Sequence, residues 1–381
     1  MSKEERQDWT RHVHNLNGML HQEPVATIAH GFFWYLLLLI TCPLMAFGAI
    51  FLSAYRLLDF YLWNREILPK DYPDKELGVF VTGCDTGFGQ ELVFSLVSKG
   101  FTVFAACLSE DSFKQFQGEP RIIPIKVNIT SDEDVRKAYE TVCKWQKDDD
   151  KESPKKRHFH ALVNNAGCGR LSLIDWMEVK DFEEIMNVNF FGTIRVVKAF
   201  LPLLKQQAAT GSYKDARVVN MISTAGVFAG GVLAAGYECS KHALDAYTTN
   251  LRVELGTFGV KVTKLNPSMH KTALAESKNL IGGMRKIWDA MTPEHREEYG
   301  EDYFNAIAEP IETRAGRLYW DKKYVVEAME NAVVSGNPPE RVMVGLDARY
   351  IVYPLSKLPT WFRVNIIQKT PAIMTQKPKA Q

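Results

Sequence analysis

Net charge is almost absent from this chain. Its 46 Lys and Arg stand against 45 Asp and Glu, a formal charge of +1. That balance excludes the basic footprint of a nucleic-acid-binding protein. The six cysteines (Cys42, Cys84, Cys107, Cys143, Cys168, Cys239) include no CxxC pair and have no histidine at metal-ligand spacing. Neither a disulfide framework nor a zinc site is indicated, and the thiols read as reduced and mostly buried in a cytosol-facing protein. No internal repeat and no second catalytic domain is evident. What remains is ample: 381 residues, 46% of them apolar, enough to bury a sizeable core.

One stretch lacks charge altogether. From Gly31 to Tyr55 there are 25 uncharged residues, GFFWYLLLLITCPLMAFGAIFLSAY, long enough to span a bilayer. Trp34, Tyr35 and Tyr55 lie near its ends, as interfacial aromatics do. A cleaved signal or a transit peptide fits poorly: the run is too long and starts too late, and Glu4, Glu5 and Asp8 interrupt the leader. Arg56, Arg65, Lys70 and Lys75 follow the run, whereas only Arg11 lies close before it. The positive-inside bias therefore places the rest of the chain in the cytosol. The expected layout is a leader (1–30), a transmembrane anchor (31–55), a linker (56–76), a globular domain (77–345) and a membrane-proximal tail (346–381). The terminal Lys377-Pro378-Lys379-Ala380-Gln381 resembles a dilysine retrieval signal and suggests the endoplasmic reticulum membrane; a solvated basic end reads equally well.

The globular part alternates. Gly78–Thr82 reads as a buried parallel strand and runs into Gly83-Cys84-Asp85-Thr86-Gly87-Phe88-Gly89. A helix through Leu92, Val93, Leu96 and Val97 follows. Such a glycine turn presents backbone N–H groups and a helix N-terminus to a phosphate. Further strands are expected at 101–106, 122–127, 161–163, 218–222, 260–265 and 342–345. Helices are expected at 132–145 and, as one long element, 181–204. The charged stretch 148–157 reads as a solvated insertion. Strands alternating with helices imply an α/β fold, a doubly wound parallel sheet of Rossmann type with an N-terminal transmembrane helix. The second strand ends at Cys107, without the usual ribose-binding acid and without a cation for a 2′-phosphate, which Asp85 would repel. NAD(H) is therefore favoured over NADP(H).

A further helix carries Tyr237-Glu238-Cys239-Ser240-Lys241. A Tyr and a Lys at i and i+4 share a helix face. The ammonium is expected to lower the phenol's pKa and fit it for proton exchange with an alcohol.

Taken together, Thr82-Gly83-x-x-x-Gly87-x-Gly89, Asn164-Asn165-Ala166-Gly167, Met186-Asn187-Val188-Asn189, Ser223-Thr224-Ala225-Gly226 and Tyr237-x-x-x-Lys241 resemble the short-chain dehydrogenase/reductase superfamily over about residues 76–350. The wording of the glycine turn, with Ala105–Leu108 and Leu201–Leu204, resembles the branch of retinol and hydroxysteroid dehydrogenases. The resemblance implies Tyr237 as general base or acid. It implies Lys241 as its tuner and as a holder of the nicotinamide ribose, and Ser223 as the hydroxyl that bonds the substrate oxygen. Asn189 would hold a water of the proton relay. Asn165, Ala166 and Gly167 would border the cofactor, Asn128 would meet the adenine, and Thr272 the carboxamide. Three departures stand out. One extra residue between Ser223 and Tyr237 brings Thr224 forward as a competing hydroxyl, although the Ser-x-Ala-Gly frame selects Ser223. Asn128 replaces an Asp. Pro267-Ser268 replaces Pro-Gly, where Ser tolerates positive φ less readily.

The aromatic and Met-rich stretch with Met269, Met284, Ile287, Trp288, Met291, Tyr299, Tyr303 and Phe304 reads as a mobile lid or as a helical packing face. Residues 350–362 form a second apolar patch, suited to the membrane surface or to docking on the protein body. The expected partners are a small lipophilic alcohol and the membrane, with a homodimer left open. The leading reading is a membrane-anchored NAD-dependent dehydrogenase. The alternatives are an NADPH-dependent carbonyl reductase of the same fold and a non-catalytic lipid-binding scaffold.

Overall fold

The computed structural model describes residues 68–71, 74–147, 156–209, 216–314 and 319–369, all in the unit Arg65–Gln381. The leader, the expected anchor at 31–55 and the basic end 377–381 lie outside the described residues. Among the described residues no helix is long and apolar enough to cross a membrane.

Seven strands form one sheet: β1 (Lys75–Thr82), β2 (Thr102–Cys107), β3 (Ile122–Lys126), β4 (Lys156–Asn164), β5 (Arg217–Met221), β6 (Lys261–Pro267) and β7 (Arg341–Val344). Their order is β3-β2-β1-β4-β5-β6-β7, and every pairing is parallel. This is the Rossmann-type α/β sheet the alternation implies. The order reverses beside β1, and in such sheets a crevice opens there at the carboxyl ends of the strands.

Strand periodicity divides the core between two helical layers. Val79 and Val81 face one side, where α1 (Gly87–Ser98) supplies Leu92, Val93 and Leu96, and α9 (Lys323–Val334) supplies Val325, Met329 and Val333. Phe80 faces the other side. There α2 (Asp132–Lys147), α4 (Thr193–Ala209) and α5 (Ala235–Gly256) cover it, and Phe200 lies 4.5 Å from Phe80, ring to ring.

Three expectations change. β4 begins at Lys156, in register with Lys75, so the end of the charged stretch is strand rather than insertion. There the Arg157 guanidinium meets Glu76 at 3.2 Å and lies over Trp145. The expected single helix 181–204 is three pieces: α3 (Val179–Met186), a wide π-helical turn (Asn187–Gly192) and α4. Helical periodicity continues through that turn, so the hydrophobic pattern does not betray it. Finally, α6 (Ser277–Ala290), α7 (Pro293–Tyr299) and α8 (Glu301–Arg314) bury Met284, Ile287, Trp288, Met291, Tyr303 and Phe304 around Trp176. Most of the aromatic wealth read as a lid is thus a packed satellite core; Met269 alone of that set is exposed.

Candidate active site

The glycine turn is shaped by contacts that no side chain at its glycines would allow. Gly83 and Gly87 both sit at φ +70°, where glycine is strain-free. A Cβ on Gly83 would lie 2.8 Å from the Ala166 backbone, and one on Gly89 would strike Gly83 O and the Asn165 amide. Asn165 closes the turn: its Nδ2 donates to Thr82 O and Gly83 O, both at 3.0 Å. Thr82 Oγ1 in turn accepts from the backbone N–H groups of Asn165 and Ala166. These bonds lock Thr82-Gly83, at the end of β1, to Asn165-Ala166, just after β4.

Thr86 is the N-cap of α1, yet its side chain makes no capping bond, and no acid stands in the first turn. Neither the N-cap side chain nor a first-turn acid therefore occupies the first N–H groups of α1, and a negative charge there would be stabilised. Cys84 contributes backbone only; its buried thiol turns inward to Val81 O. Phe88 packs edge-on against His270. Across the crevice, Thr272 lies 3.7 Å from the place of a Gly87 Cβ. These features fit a dinucleotide pyrophosphate, held by the backbone of the turn with Thr272 opposite.

Asp85 is the hub of the adjoining wall. Its carboxylate accepts from Leu108 N (2.9 Å), Ser109 N (3.0 Å) and Ser112 Oγ (2.9 Å), immediately beyond the end of β2. Its negative field, after burial itself, also pushes the Cys107 thiol up to about 12. Asn128 stands apart, exposed beyond β3. Its Oδ1 accepts from Thr130 N and Oγ1, and its N–H is held by Asp134.

Ser223, Tyr237 and Lys241 converge at the end of β5 and the start of α5. Ser223 stands beside the Tyr237 phenol and favours its ionised form, and Ser223 Oγ accepts from Ala225 N at 3.1 Å. Thr224 opens a short 3-10 turn instead, so Ser223 is the hydroxyl at the phenol. The Tyr237 ring rests against Gly169 (3.4 Å to the place of its Cβ), with exposed Leu274 on the same spot.

Lys241, 3% exposed, donates from Nζ to Met221 O at 3.0 Å and lies 5.7 Å from the Tyr237 ring centroid. Burial lowers it to about 8, against the weaker upward pull of Cys168. The phenol does not follow the expected direction. Burial pushes Tyr237 up, and the Ser223 hydrogen bond draws it back only in part. Desolvation dominates because a buried phenolate loses its water, and Cys168 adds a smaller upward push.

Asn189 is fully buried in the π-helical turn. Its Oδ1 accepts from Cys168 N and its Nδ2 donates to Cys168 O, both at 2.8 Å. Nδ2 also donates to Ser240 Oγ, which donates to Tyr237 O. The side chain thus ties the loop after β4 to α5. A Cβ at Gly167 would lie 3.2 Å from Asn189 Oδ1 and 3.6 Å from Lys241 Nζ, so glycine keeps the space beside the amine clear.

Two braces escape motif reading. Glu238, buried, accepts from Gly230 N and Gly231 N and fixes the loop between Ser223 and Tyr237. That loop holds Leu233 at φ +76°, unusual for a large side chain, and Leu233 O accepts from Ser172 N. Asn266 Nδ2 donates to Ser223 O at 2.6 Å, and Arg341 steadies Asn266 from β7. The only sequence signal for Glu238 is its place inside the Tyr-x-x-x-Lys motif.

Comparison with known proteins agrees with this geometry. The short chain dehydrogenase family model matches residues 78–280. Human short-chain dehydrogenase/reductase family 9C member 7 is 37% identical over 74% of this chain and 86% of its own. Human retinol dehydrogenase 16 is 34% identical over 82% and 93%, and rat retinol dehydrogenase 7 is 35% identical over 76% and 87%. Among solved structures, a Burkholderia cenocepacia short chain dehydrogenase in complex with NADP superposes with TM-score 0.55 at 21% identity, covering 78% of this chain and 99% of that one. A Burkholderia phymatum short chain dehydrogenase/reductase in complex with NAD gives 0.52 at 20%, covering 68% and 86%; both likenesses concern the fold. With the strand order, the glycine turn and the Ser223–Tyr237–Lys241 cluster in hand, the chain belongs to the short-chain dehydrogenase/reductase superfamily of oxidoreductases, in the retinol dehydrogenase branch.

Proposed function

We propose that this protein is a membrane-anchored, NAD(H)-dependent dehydrogenase of a lipophilic alcohol such as a retinoid, sterol or hydroxysteroid. The observation that carries the chemistry is the convergence of Ser223, Tyr237 and Lys241 at the mouth of the glycine-turn crevice. A bound nicotinamide supplies the hydride acceptor or donor. The chain's own residues manage the rest. Ser223 Oγ and the Tyr237 hydroxyl hold the substrate oxygen, and Tyr237 takes or returns its proton. Lys241 is the cation beneath the phenol, and Asn189 brings the backbone of its π-helical turn toward the amine for a water-borne relay. Gly83 to Gly89, Asn165, Ala166, Gly167 and Thr272 would hold the dinucleotide, with Asn128 toward its adenine.

Substrate class is read from the apolar surroundings. Exposed Leu274 lies beside the Tyr237 ring at Gly169. The C-terminal α10 (Tyr353–Ser356) and α11 (Thr360–Lys369) expose Trp361, Phe362 and Ile366, and Ile367 closes on Gly230 in the loop before Tyr237. This exposed apolar face beside the site, with the charge-free stretch 31–55 in the same chain, supports a catalytic domain on the cytosolic face of a membrane, the endoplasmic reticulum being the expected one. The test is turnover by microsomes carrying the full chain, offered retinol, sterols and steroids with NAD⁺ or NADP⁺. NAD⁺-linked oxidation of at least one lipophilic alcohol is expected, and no oxidation of any of them would overturn the reading.

Cofactor choice rests on Asp85. Its carboxylate stands where the end of β2 meets the turn, so a 2′-phosphate there would face a like charge. Asp85→Asn removes the charge and keeps an acceptor for Leu108 N. We expect the NADP(H)-to-NAD(H) ratio of kcat/KM to rise about tenfold, since removing a like-charge clash relaxes exclusion of the wrong ligand. Paired kinetics with both nucleotides measure it.

A further inference from the structure

The segment linking β6 to Thr272 departs from the superfamily's Pro-Gly at Ser268, and the structure shows what the serine does. Ser268 is not among the described residues with positive φ, so its backbone has no need of glycine. Its hydroxyl donates to Asp347 Oδ1 at 2.8 Å. The same oxygen accepts from the Trp320 indole N–H at 2.7 Å. Gly345, at φ +110°, makes room: a Cβ there would lie 2.5 Å from Ser268 Oγ and 2.6 Å from Asp347 Oδ1. The backbone is stitched at the same points. Ser268 N donates to Val344 O, Trp320 N to Met269 O, and Lys271 N to Trp320 O, at 3.0, 3.0 and 3.1 Å. Beneath the segment His270 is buried, and its Nδ1 lies 2.9 Å from Ser268 O; a carbonyl only accepts, so Nδ1 carries the proton. The same ring meets Phe88 of the glycine turn.

Four residues after Ser268, Thr272 faces Gly87 across the crevice. Asp347 is therefore the post to which this wall of the crevice is tied, and it lies beyond the 78–280 match.

We propose that Asp347, acting through Ser268 and Trp320, is a positioning residue that pre-sets the 268–272 wall for the nicotinamide half of the dinucleotide. This rests on the NAD(H) reading above. A wall fixed in advance avoids the ordering cost that a loose segment would incur on binding, and a carboxylate accepting two hydrogen bonds is a strong tie. Removal should weaken the nicotinamide half and leave the adenosine half alone.

The test uses the full-length protein and titrates NADH by fluorescence and AMP by calorimetry. Asp347→Ala is expected to weaken NADH about tenfold, the scale of losing hydrogen bonds to a charged group, while AMP changes less than about twofold. Asp347→Asn keeps an acceptor and should restore most of the affinity. Ser268→Ala and Trp320→Phe each remove one donor, keep the packing, and should weaken NADH about threefold; they carry the test if Asp347→Ala does not fold. At saturating nucleotide, kcat should fall far less than KM for NAD⁺ rises. Unchanged NADH affinity in Asp347→Ala, or equal weakening of NADH and AMP, would overturn the assignment. If the wild-type protein bound AMP but neither NADH nor NAD⁺, the NAD(H) reading itself would fail, and this inference with it.

Discussion

Tyr237→Phe is expected to lower kcat for alcohol oxidation about 10³-fold, the scale of a lost general base, while NADH affinity stays within about twofold. The change removes one oxygen from a ring seated against Gly169, so packing survives. What is lost is the hydroxyl beside Ser223 that is proposed to take the substrate's proton. Ser223 Oγ keeps its Ala225 N partner, so the serine is not left adrift. Ser223→Ala should cost less than the phenylalanine substitution, because it removes an orienting donor while the phenol remains. Single-turnover kinetics with bound NAD⁺ separate the two effects from binding. Undiminished oxidation by Tyr237→Phe would remove the phenol from the reaction, and with it the enzyme reading built on it.

The parts of this site that were legible in the sequence are those where backbone geometry dictates residue type. Gly83 and Gly89 are required by close contacts with Ala166, Asn165 and the turn's own backbone, and Gly83 and Gly87 are favoured by left-handed torsions. Tyr237 and Lys241 were legible because helical spacing alone puts them on one face. Asp347 and Trp320 were not, because their meeting with Ser268 depends on how β7 docks beside β6, about 80 residues away in the chain, and no local pattern encodes it. The turn at Asn187–Gly192 was hidden for a different reason: an extra residue in one helical turn leaves the apolar stripe nearly unchanged. The aromatic helices α6 to α8 were ambiguous because a lid and a satellite core have the same composition; only the burial of Met284 and Trp288 distinguishes them. The direction of the Tyr237 shift is not legible in the sequence, because a sequence lists charges but not their burial.

Lys241→Met is expected to abolish oxidation, by about 10³-fold or more, and at the same time to stabilise the protein at pH 7 without added nucleotide. The buried ammonium titrates at about 8 instead of the ordinary 10.5, so folding opposes its charge. Between those two values the unfolded chain holds more protons than the folded one, and stability rises with pH through that window. Below pH 8 the full penalty stands, about 3 kcal/mol from the size of the shift. Methionine has a similar length and no charge to desolvate. It leaves Met221 O without its 3.0 Å donor, which offsets part of the gain, so a net gain of about 2 kcal/mol and a Tm rise of several degrees are expected. The difference between variant and wild type should narrow as pH rises from 8 to 10.5, because the wild-type lysine loses its charge there. Thermal unfolding followed at pH 7, 9 and 10.5 measures this. A variant less stable than wild type at pH 7, or a gap independent of pH, would mean that the ammonium is not held at a cost. The converse result, a more stable and inactive protein, would place the strain of this fold at the amine that its chemistry requires.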